Sequence, residues 1–337
     1  MRIARIAIAI IVAAVPALAQ TPSPALLVLN KGANELAIVD PTAMKVLGRV
    51  PVGEGPHEVA TDGKLAFVAN FGGRTPGHTL SVIDLATQKE IKRVDLGSLQ
   101  RPHGILVNGG KVWFTAEDTA NRGVNPSATG AAAGQQQAIG VIASYDPASQ
   151  QVASTSTGQY ATHMLVITKD GKKIFTSNIA SNNVSVGKPG TPGTTTIPVG
   201  KGPEAIDLSP DGREVWVAHS QDGGISIIDV KTEKVTQTLD IGTKRSNRLK
   251  FTPDGKRVLV SDINGDEVVV LDAKTRKEIK RIHTGGHPEG IQMVPDGSRA
   301  FVALAQDGVI ATIDLKTLEV TNKLPTGPDA DGMAWVK

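Results

Sequence analysis

Three histidines open equivalent apolar segments of this sequence, and their chemistry limits what the protein can do. His57, His103 and His163 each follow a proline or a threonine and precede a run of apolar residues. Neutral imidazole binds divalent transition metals, and carboxylates can complete the ligand set. Imidazole also acts as a general acid or base, for example on a lactone or a similar ester. The three residues therefore predict a metal site or an acid–base site, if the fold brings them together.

The segments that position these histidines belong to an internal repeat. The clearest copies begin at Gly202, Ser246 and His287, and their turn aspartates lie 43 and 42 residues apart. Each copy carries short β-branched and apolar runs, which are typical of strands. An Asp-Gly or Gly-Gly pair marks the first hairpin in six copies, and a further aspartate marks a second turn. These aspartates are interpreted as turn residues rather than metal ligands, because their side chains accept hydrogen bonds from nearby backbone amides.

Seven such copies with four strands each can be traced along the chain. They predict an all-β fold, a seven-bladed β-propeller with four antiparallel strands in each blade. One unit is split between residues 25–53 and 329–337. Its C-terminal strand is expected to pair with the N-terminal strands and close the ring, which removes an exposed sheet edge. We therefore expect a single domain over residues 20–337, with a loop insertion at residues 119–138.

The repeat places equivalent residues in rings around the central channel. The first strand of each blade lines the channel, so side chains at its start meet at one end, here called the top face. In blade order this first ring consists of Asp331, His57, His103, His163, Glu204, Asn247 and Glu289. A second ring, at the end of the second strand, consists of Asn30, Asn70, Glu117, Asn178, His219, Asp262 and Leu304. By this alignment all seven histidines lie on the top face.

These rings supply the residues to which we assign chemistry. The candidate catalytic residues are His57, His103, His163, Glu204 and Glu289. The candidate ligands of a divalent metal ion are His57, His103, His163 and Asp331. The candidate substrate-binding residues are Asn70, Glu117, Asn178, His219, Asn247, Arg248 and Asp262. Arg101, Arg245 and Arg248 lie in the same loops and can bind a substrate carboxylate in bidentate geometry. The alternative is a polar rim that surrounds a water-filled channel and binds nothing.

Two blades carry segments by which the sequence resembles a known family. Ala66–Asn70 followed by Leu80–Leu85, and Ile174–Asn178 followed by Asn183–Val186, are similar to the YVTN-repeat β-propellers. The resemblance covers residues 25–337 and implies a seven-bladed, mostly exported protein. Related propellers include lactonase-like enzymes, lyases, electron-transfer subunits resembling the quinoprotein amine dehydrogenase β-chain, and scaffolds without catalytic activity. The resemblance therefore implies the fold and leaves several functions open.

The first residues are typical of a secretory signal peptide. Arg2 and Arg5 precede a short apolar core, and Ala17–Ala19 form a small-residue cleavage site. We expect cleavage after residue 19, a periplasmic or secreted protein, and no membrane span. Loss of the two arginines lowers the formal net charge from +3 to +1. With only 3% aromatic residues, this charge opposes nucleic-acid binding.

The remaining expectations concern cofactors, partners and function. Because cysteine is absent, the sequence excludes disulfides and covalently attached c-type haem. The leading hypothesis is a small-molecule or metal site at the top of the channel, with metal-assisted or acid–base hydrolysis of a lactone-like substrate. The alternative is a non-catalytic scaffold that binds a periplasmic protein partner, such as a redox enzyme. We expect a monomer, with residues 119–138 acting either as a lid over the site or as a tolerated surface insertion.

Overall fold

A computed structural model describes residues 21–337, so the predicted signal peptide lies outside the described residues. The regular structure is strand, apart from four short 3₁₀ turns at Lys31–Ala33, Gly130–Ala132, Ile179–Ser181 and Ile263–Gly265. In chain order the strands are β1 (Ala25–Asn30), β2 (Glu35–Asp40), β3 (Lys45–Pro51), β4 (Pro56–Thr61), β5 (Leu65–Gly72), β6 (Pro76–Asp84), β7 (Lys89–Asp95), β8 (Leu99–Gln100), β9 (Ile105–Asn108), β10 (Lys111–Val124), β11 (Gln136–Asp146), β12 (Gln151–Ser156), β13 (Thr162–Ile167), β14 (Ile174–Asn178), β15 (Asn183–Gly187), β16 (Thr194–Pro198), β17 (Pro203–Leu208), β18 (Glu214–His219), β19 (Gly224–Asp229), β20 (Lys234–Asp240), β21 (Ser246–Phe251), β22 (Arg257–Asp262), β23 (Glu267–Asp272), β24 (Glu278–His283), β25 (Pro288–Met293), β26 (Arg299–Leu304), β27 (Val309–Asp314), β28 (Glu319–Pro325) and β29 (Ala330–Val336). Between Thr21 and Lys337, no helix is long and apolar enough to cross a membrane.

The strands of residues 21–337 form seven antiparallel sheets, which confirms the predicted seven-bladed propeller. Blade 1 joins β29 to β1, β2 and β3, and Val336 lies opposite Ala25. Blades 2 to 7 follow in chain order as β4–β7, β8–β12, β13–β16, β17–β20, β21–β24 and β25–β28. Blade 3 has five strands because its inner strand is interrupted between β8 and β9. Pairing of β29 with β1 joins the two ends of the described chain within one sheet.

The hydrophobic core lies between the blades rather than at the centre of the ring. The described chain contains seven apolar clusters, and each cluster combines residues from two adjacent blades. In β22, for example, Val258 and Val260 pack toward blade 5, whereas Leu259 packs toward blade 7. Both faces of a blade are therefore buried, which explains the continuous apolar runs in the sequence. Full burial of each such side chain contributes about 1.5–3 kcal/mol.

The turn aspartates make the backbone contacts that the sequence predicts. Asp314 accepts hydrogen bonds at 2.8 Å from the backbone amides of Lys316 and Thr317. Asp254 accepts a hydrogen bond at 3.0 Å from the amide of Lys256 and another at 2.7 Å from the Thr252 hydroxyl. These bonds fix the turns between consecutive strands.

The inner strands carry an irregularity at the level of the first ring. In six described blades, the pairing of the inner strand with its neighbour shifts register there. In blade 2 the shift falls between Pro56 and Glu58, on either side of His57. In blade 3 the strand is broken instead, although the His103 amide still donates to the Thr115 carbonyl at 2.9 Å. A β-bulge redirects side chains locally, so two consecutive residues can face the channel.

Glycine follows the first ring in several blades because neighbouring inner strands approach closely. A Cβ atom on Gly104 would lie 2.7 Å from the carbonyl oxygen of His163 in the next blade. Gly290 and Gly332 have equally little room beside Asp331 and His57, respectively. The equivalent residues in blades 2 and 6 are Glu58 and Arg248. Glu58 and Arg248 therefore place a pair of opposite charges at a level where the channel is otherwise narrow and lined by uncharged residues.

Residues 119–138, where the composition predicted a loop, extend two strands at their ends: residues 119–124 belong to β10 and residues 136–138 to β11. The pairing of β10 with β11 continues as far as Val124, which lies opposite Gln136. Beyond the paired region, the buried Asn125 side chain donates to the backbone carbonyl of Ala180 at 2.9 Å. Backbone pairing and this contact with blade 4 hold a segment whose glycine and alanine content alone indicated a loop.

A buried charged cluster crosses the channel between its two ends. We define it as Lys31, His57, Glu58, Arg248 and Asp331. Arg248 is 3% exposed, contacts the Glu58 carboxylate directly and lies 3.8 Å from Asp331. Lys31 lies 3.4 Å from Asp331, and His57 contacts the same carboxylate. Because each charge has an opposite charge beside it, the cluster satisfies the strict requirement for burying ions.

We predict that Arg248→Met lowers the free energy of unfolding by about 3–5 kcal/mol, because it leaves the Glu58 carboxylate buried without its partner. The double variant Glu58→Met/Arg248→Met should recover most of that loss, since two apolar side chains replace a matched ion pair. Urea unfolding of the three proteins measures both effects. Equal stability of Arg248→Met and the wild type, or a double variant less stable than the single one, would contradict this account.

Candidate functional site

Two cavities open at opposite ends of the channel. The cavity at the top face, here called the top cavity, has a volume of about 570 Å³. It is lined by Lys31, His57, Phe71, Arg101, His103, Glu117, Ala161, Thr162, His163, Ile179, Glu204, Ser220, Gln221, Arg245, Asn247, Ile263 and Glu289. The second cavity has a volume of about 450 Å³ and is lined further along the inner strands, with Glu58 and Arg248 in its wall. The charged cluster therefore spans the channel between the two cavities.

The three predicted histidines come together as an imidazole stack at the wall of the top cavity. The ring centroid of His103 lies 3.6 Å from that of His163 and 4.2 Å from that of His57. The Phe71 ring packs edge-on against His57 at 5.4 Å and against His103 at 5.6 Å. His103 is the most enclosed of the three, with 1% of its surface exposed and no hydrogen-bond partner for either ring nitrogen in the described chain. The adjacent inner strands of blades 2, 3 and 4 thus produce the predicted grouping.

His57 differs electrostatically from the other two histidines because it contacts a buried carboxylate. Burial lowers the pKa of His57, but the Asp331 carboxylate outweighs this effect and raises it above the ordinary value of 6.5. Burial would raise the pKa of Asp331, but His57, Lys31 and Arg248 hold it well below its usual range. At pH 6.5, more than half of the molecules therefore carry an imidazolium at His57 beside the Asp331 carboxylate.

His103 and His163 are neutral at the same pH. Burial lowers the pKa of His163 well below 6.5, and the nearby charges of Arg248 and His57 lower it further. Burial and the two flanking imidazoles have the same effect on the pKa of His103. The Nδ1 atom of His163 lies 3.3 Å from the backbone carbonyl of Glu204. When Nδ1 donates to that carbonyl, Nε2 carries the free lone pair and can accept a proton.

Acidic and basic residues surround this stack. The Lys31 ammonium donates to Glu289 at 2.9 Å. Burial and the nearby Asp331 carboxylate raise the pKa of Glu289 to about 7, although Lys31 opposes the shift. Burial also raises the pKa of Glu117, against the opposing charges of Arg101 and Arg122. Glu289 can therefore exchange a proton near neutral pH.

Most predicted residues of the first ring reach the top cavity. Glu204 and Asn247 lie in its wall, joined by a 2.9 Å hydrogen bond from the Asn247 amide to the Glu204 carboxylate. Glu117 is the predicted residue of the second ring that reaches the same wall. Asp331 does not line the cavity. It lies behind the wall, where it contacts His57 and Lys31, which are lining residues.

Four predicted substrate-binding residues of the second ring do not reach the cavity. Asn70, Asn178, His219 and Asp262 are at most 1% exposed. Their side chains bond within the blades; Asn70, for example, donates to Ser81 at 2.9 Å, and His219 Nδ1 lies 2.9 Å from Asp222. The second strand stands one position farther from the channel axis than the inner strand, so these polar groups stabilise loops. These four residues lie outside the wall of the top cavity, and a role for them in substrate binding stays a prediction.

Arg248 also departs from its predicted place. It lies in the wall of the second cavity and not in that of the top cavity. Its guanidinium is held by Glu58, Asp331 and the Asn247 side chain, the last at 3.1 Å. A substrate carboxylate in the top cavity would have to compete with these buried partners. Arg248 therefore tunes the charges of the cluster instead of contacting a ligand there.

Lys31 and Phe71 are among the lining residues that were not predicted. Each directly follows a residue of the predicted second ring, Asn30 and Asn70 respectively. The loop after the second strand carries both side chains toward the channel, as their positions in the cavity wall show. The alignment of strand ends could have identified them, had it been extended by one residue into the loop.

The predicted metal ligands are not arranged as a ligand set in this structure. Within residues 21–337, no group of three or more His, Asp or Glu side chains is arranged to hold a metal ion. His57 and Asp331 face each other, and two cations, Lys31 and Arg248, flank the carboxylate. Positive charges so close to a proposed ligand oppose metal binding. Metal binding by the four predicted residues remains a prediction.

Comparison with known proteins places the fold among other propellers. The family described as the Cytochrome D1 heme domain matches residues 155–296, and no curated protein matches the chain. A hydrazine synthase structure from Kuenenia stuttgartiensis is 18% identical, with a TM-score of 0.67 and coverage of 82% of this chain and 88% of that one. A protein of unknown function from Desulfotomaculum acetoxidans is 13% identical, with a TM-score of 0.73 and coverage of 93% and 99%. A provisionally assigned 6-phosphogluconolactonase from Bacteroides fragilis is 14% identical, with a TM-score of 0.72 and coverage of 95% and 99%. At these identities, the solved structures show a shared fold and no shared activity.

We predict that Asp331→Asn switches His57 from imidazolium to neutral imidazole at pH 6.5. In the wild type the pKa of His57 exceeds 6.5, so more than half of the rings carry a proton at that pH. Without the carboxylate, burial and the charges of Lys31 and Arg248 all lower this pKa. Proton–nitrogen correlation spectra of the imidazole rings measure the change.

The same pair contributes to stability with a defined pH dependence. Because the folded-state pKa of His57 is raised, its contribution is complete below pH 6.5 and is lost as the pH rises through the folded value.

His78, whose side chain is 53% exposed, provides the control for the Asp331→Asn spectra: His78→Ala should leave the His57 signals unchanged. A neutral His57 in both the wild type and Asp331→Asn would contradict the assignment.

Proposed function

We propose that the top cavity binds a small organic molecule and hydrolyses a lactone or a similar ester. The observation that carries this proposal is the division of charge within the imidazole stack. His163 is a neutral base at the cavity wall, whereas His57 and Lys31 are cations held beside the same cavity. Ester hydrolysis needs a base that takes a proton from water and a positive charge that stabilises the developing oxyanion.

In the proposed reaction, a water molecule attacks the lactone carbonyl while Nε2 of His163 takes its proton. The carbonyl oxygen becomes an oxyanion, which is stabilised by the Lys31 ammonium and the His57 imidazolium. The ring C–O bond then breaks, and the leaving alkoxide receives a proton from the Glu289 carboxyl group, which is protonated in part of the molecules near pH 7. The product is a hydroxy acid. His103 touches both other rings and acts as a positioning residue.

The comparisons support this proposal only at the level of the fold. The provisionally assigned 6-phosphogluconolactonase from Bacteroides fragilis has the same fold over 95% of this chain. The name of that protein denotes a lactonase, which agrees with the chemistry proposed for the top cavity. Export of the protein, and its meeting with small molecules or protein partners in the periplasm, are proposals that depend on the first 19 residues of the sequence.

Tetrapyrrole binding without hydrolysis is a second candidate, favoured by the match of residues 155–296 to the Cytochrome D1 heme domain. The residues fit in part, because His163 offers one nitrogen with a free lone pair, and Arg101, Arg245 and Lys31 could pair with propionate groups. An iron tetrapyrrole would supply redox or gas-binding chemistry at that position. Haem titrated into the purified protein should then give a saturable Soret shift that His163→Ala abolishes. Absence of a saturable shift would remove this candidate.

We predict that His163→Gln lowers kcat for lactone hydrolysis at least about 100-fold, because the amide cannot take a proton from water. The KM value should change little, since glutamine keeps the size and polarity of the side chain. Acid release from a panel of γ- and δ-lactones, followed in a pH-stat, measures both parameters. The matched control is His283→Gln, because His283 is exposed at the outer end of β24.

Two results would overturn the proposed hydrolysis. One is a wild-type protein that hydrolyses no lactone of the panel faster than buffer does. The other is a folded His163→Gln variant with wild-type kcat. Melting temperatures of the variants must accompany the kinetics, so that loss of folding is not mistaken for loss of the base.

A further inference from the structure

Arg101 differs from the other cations near the channel in having no carboxylate partner. Lys31 contacts Glu289 and Asp331, Arg248 contacts Glu58, and Arg245 lies 3.9 Å from Glu204. Within the described chain, no carboxylate lies within 4 Å of the Arg101 guanidinium, although that residue lines the top cavity. Glu117 in the same wall interacts with this charge at longer range, but the Arg101 guanidinium forms no ion pair in the described chain, so its N–H groups are available to a ligand in the cavity.

The guanidinium of Arg101 is nevertheless held in a defined place. Its central carbon lies 5.0 Å from the centroid of the Phe71 ring. Stacking on an aromatic face satisfies the flat side of a guanidinium and leaves its N–H groups free at the edge. The same Phe71 ring packs edge-on against His57 and His103. Arg101 is thus connected by direct packing to the imidazole stack.

The backbone at Arg101 has the conformation of the equivalent positions in other blades. Arg101 has a φ of 51°, in the left-handed region that favours glycine. The equivalent residues of five other blades, Gly55, Ala161, Gly202, His287 and Asp329, have φ values from 51° to 65°, so this conformation belongs to the repeat. Here it places a guanidinium at the mouth of the cavity.

We propose that Arg101, stacked on Phe71, is a specificity-determining residue that binds an oxyanion of the substrate distinct from the ester that reacts. The proposal rests on the proposed function for the identity of the reacting group. Its own claim is that the preferred ligand carries a carboxylate or a phosphate group. The fork of N–H groups at the edge of Arg101 matches two oxygens of either group.

Calorimetric titration with hydroxy acids tests this claim without requiring hydrolysis. D-glucarate and D-gluconate differ in whether the far end of the molecule is a carboxylate or an alcohol, and 6-phosphogluconate replaces that end with a phosphate ester. We expect the wild type to bind glucarate or 6-phosphogluconate at least tenfold more tightly than gluconate. Arg101→Met should weaken the binding of glucarate or 6-phosphogluconate at least tenfold and so remove this preference, and Arg101→Lys should restore part of it.

The comparison between glucarate and 6-phosphogluconate identifies the group that Arg101 binds. Tighter binding of glucarate indicates a carboxylate, and tighter binding of 6-phosphogluconate indicates a phosphate. Arg93→Met is the matched control, because Arg93 lies on the outer strand β7 and pairs with Glu90 at 2.7 Å. Melting temperatures establish that each variant is folded.

Three results would overturn the proposal. They are failure of both glucarate and 6-phosphogluconate to bind the wild type, equal binding of all three acids, and an unchanged preference in folded Arg101→Met. Hydrolysis of D-glucaro-1,4-lactone and D-glucono-1,4-lactone is measured separately. If neither lactone is hydrolysed but the binding preference depends on Arg101, the proposed hydrolysis fails and the assignment of Arg101 stands. If both lactones are hydrolysed but Arg101→Met does not alter the binding preference, the assignment of Arg101 fails and the proposed hydrolysis stands.

Discussion

The carboxylate of Asp331 is the charge on which the rest of the channel depends. It is completely buried, and three cations from three different blades surround it. A carboxylate in such a place is tolerated only when its charge is matched, and the surrounding cations have the same requirement. The positions of His57, Lys31 and Arg248 are therefore determined together. Removal of any one of these groups changes the charge balance of the others.

This arrangement separates the ionisation states of three chemically identical side chains. His57 is held in its charged form by the carboxylate, whereas His163, only two blades away, is held neutral by burial and by the positive charges around it. One cavity thus offers a cation and a base at the same pH. Neither state follows from the residue type alone, because the unperturbed pKa of every histidine is the same.

The fold was predictable from the sequence because its signals are repeated. Turn residues such as Asp254 and Asp314 recur at fixed intervals and make the expected backbone bonds. The grouping of His57, His103 and His163 followed from their equivalent repeat positions. The pair Glu58–Arg248 did not, since strict alternation would turn Glu58 away from the face that His57 occupies. The register shifts in the inner strands of blades 2 and 6 cancel that alternation, and a shift of this kind leaves no clear mark in the sequence.

Pairing of β29 with β1 has a consequence for the order in which the site is assembled. Asp331 lies in β29, which follows every other strand in the chain, whereas Lys31 directly follows β1. Until β29 joins blade 1, Lys31, His57 and Arg248 lack the carboxylate that they share in the closed ring. The same step that closes the ring also neutralises its centre. Nascent or unravelled chains without a closed ring consequently also lack the charged form of His57 that Asp331 maintains.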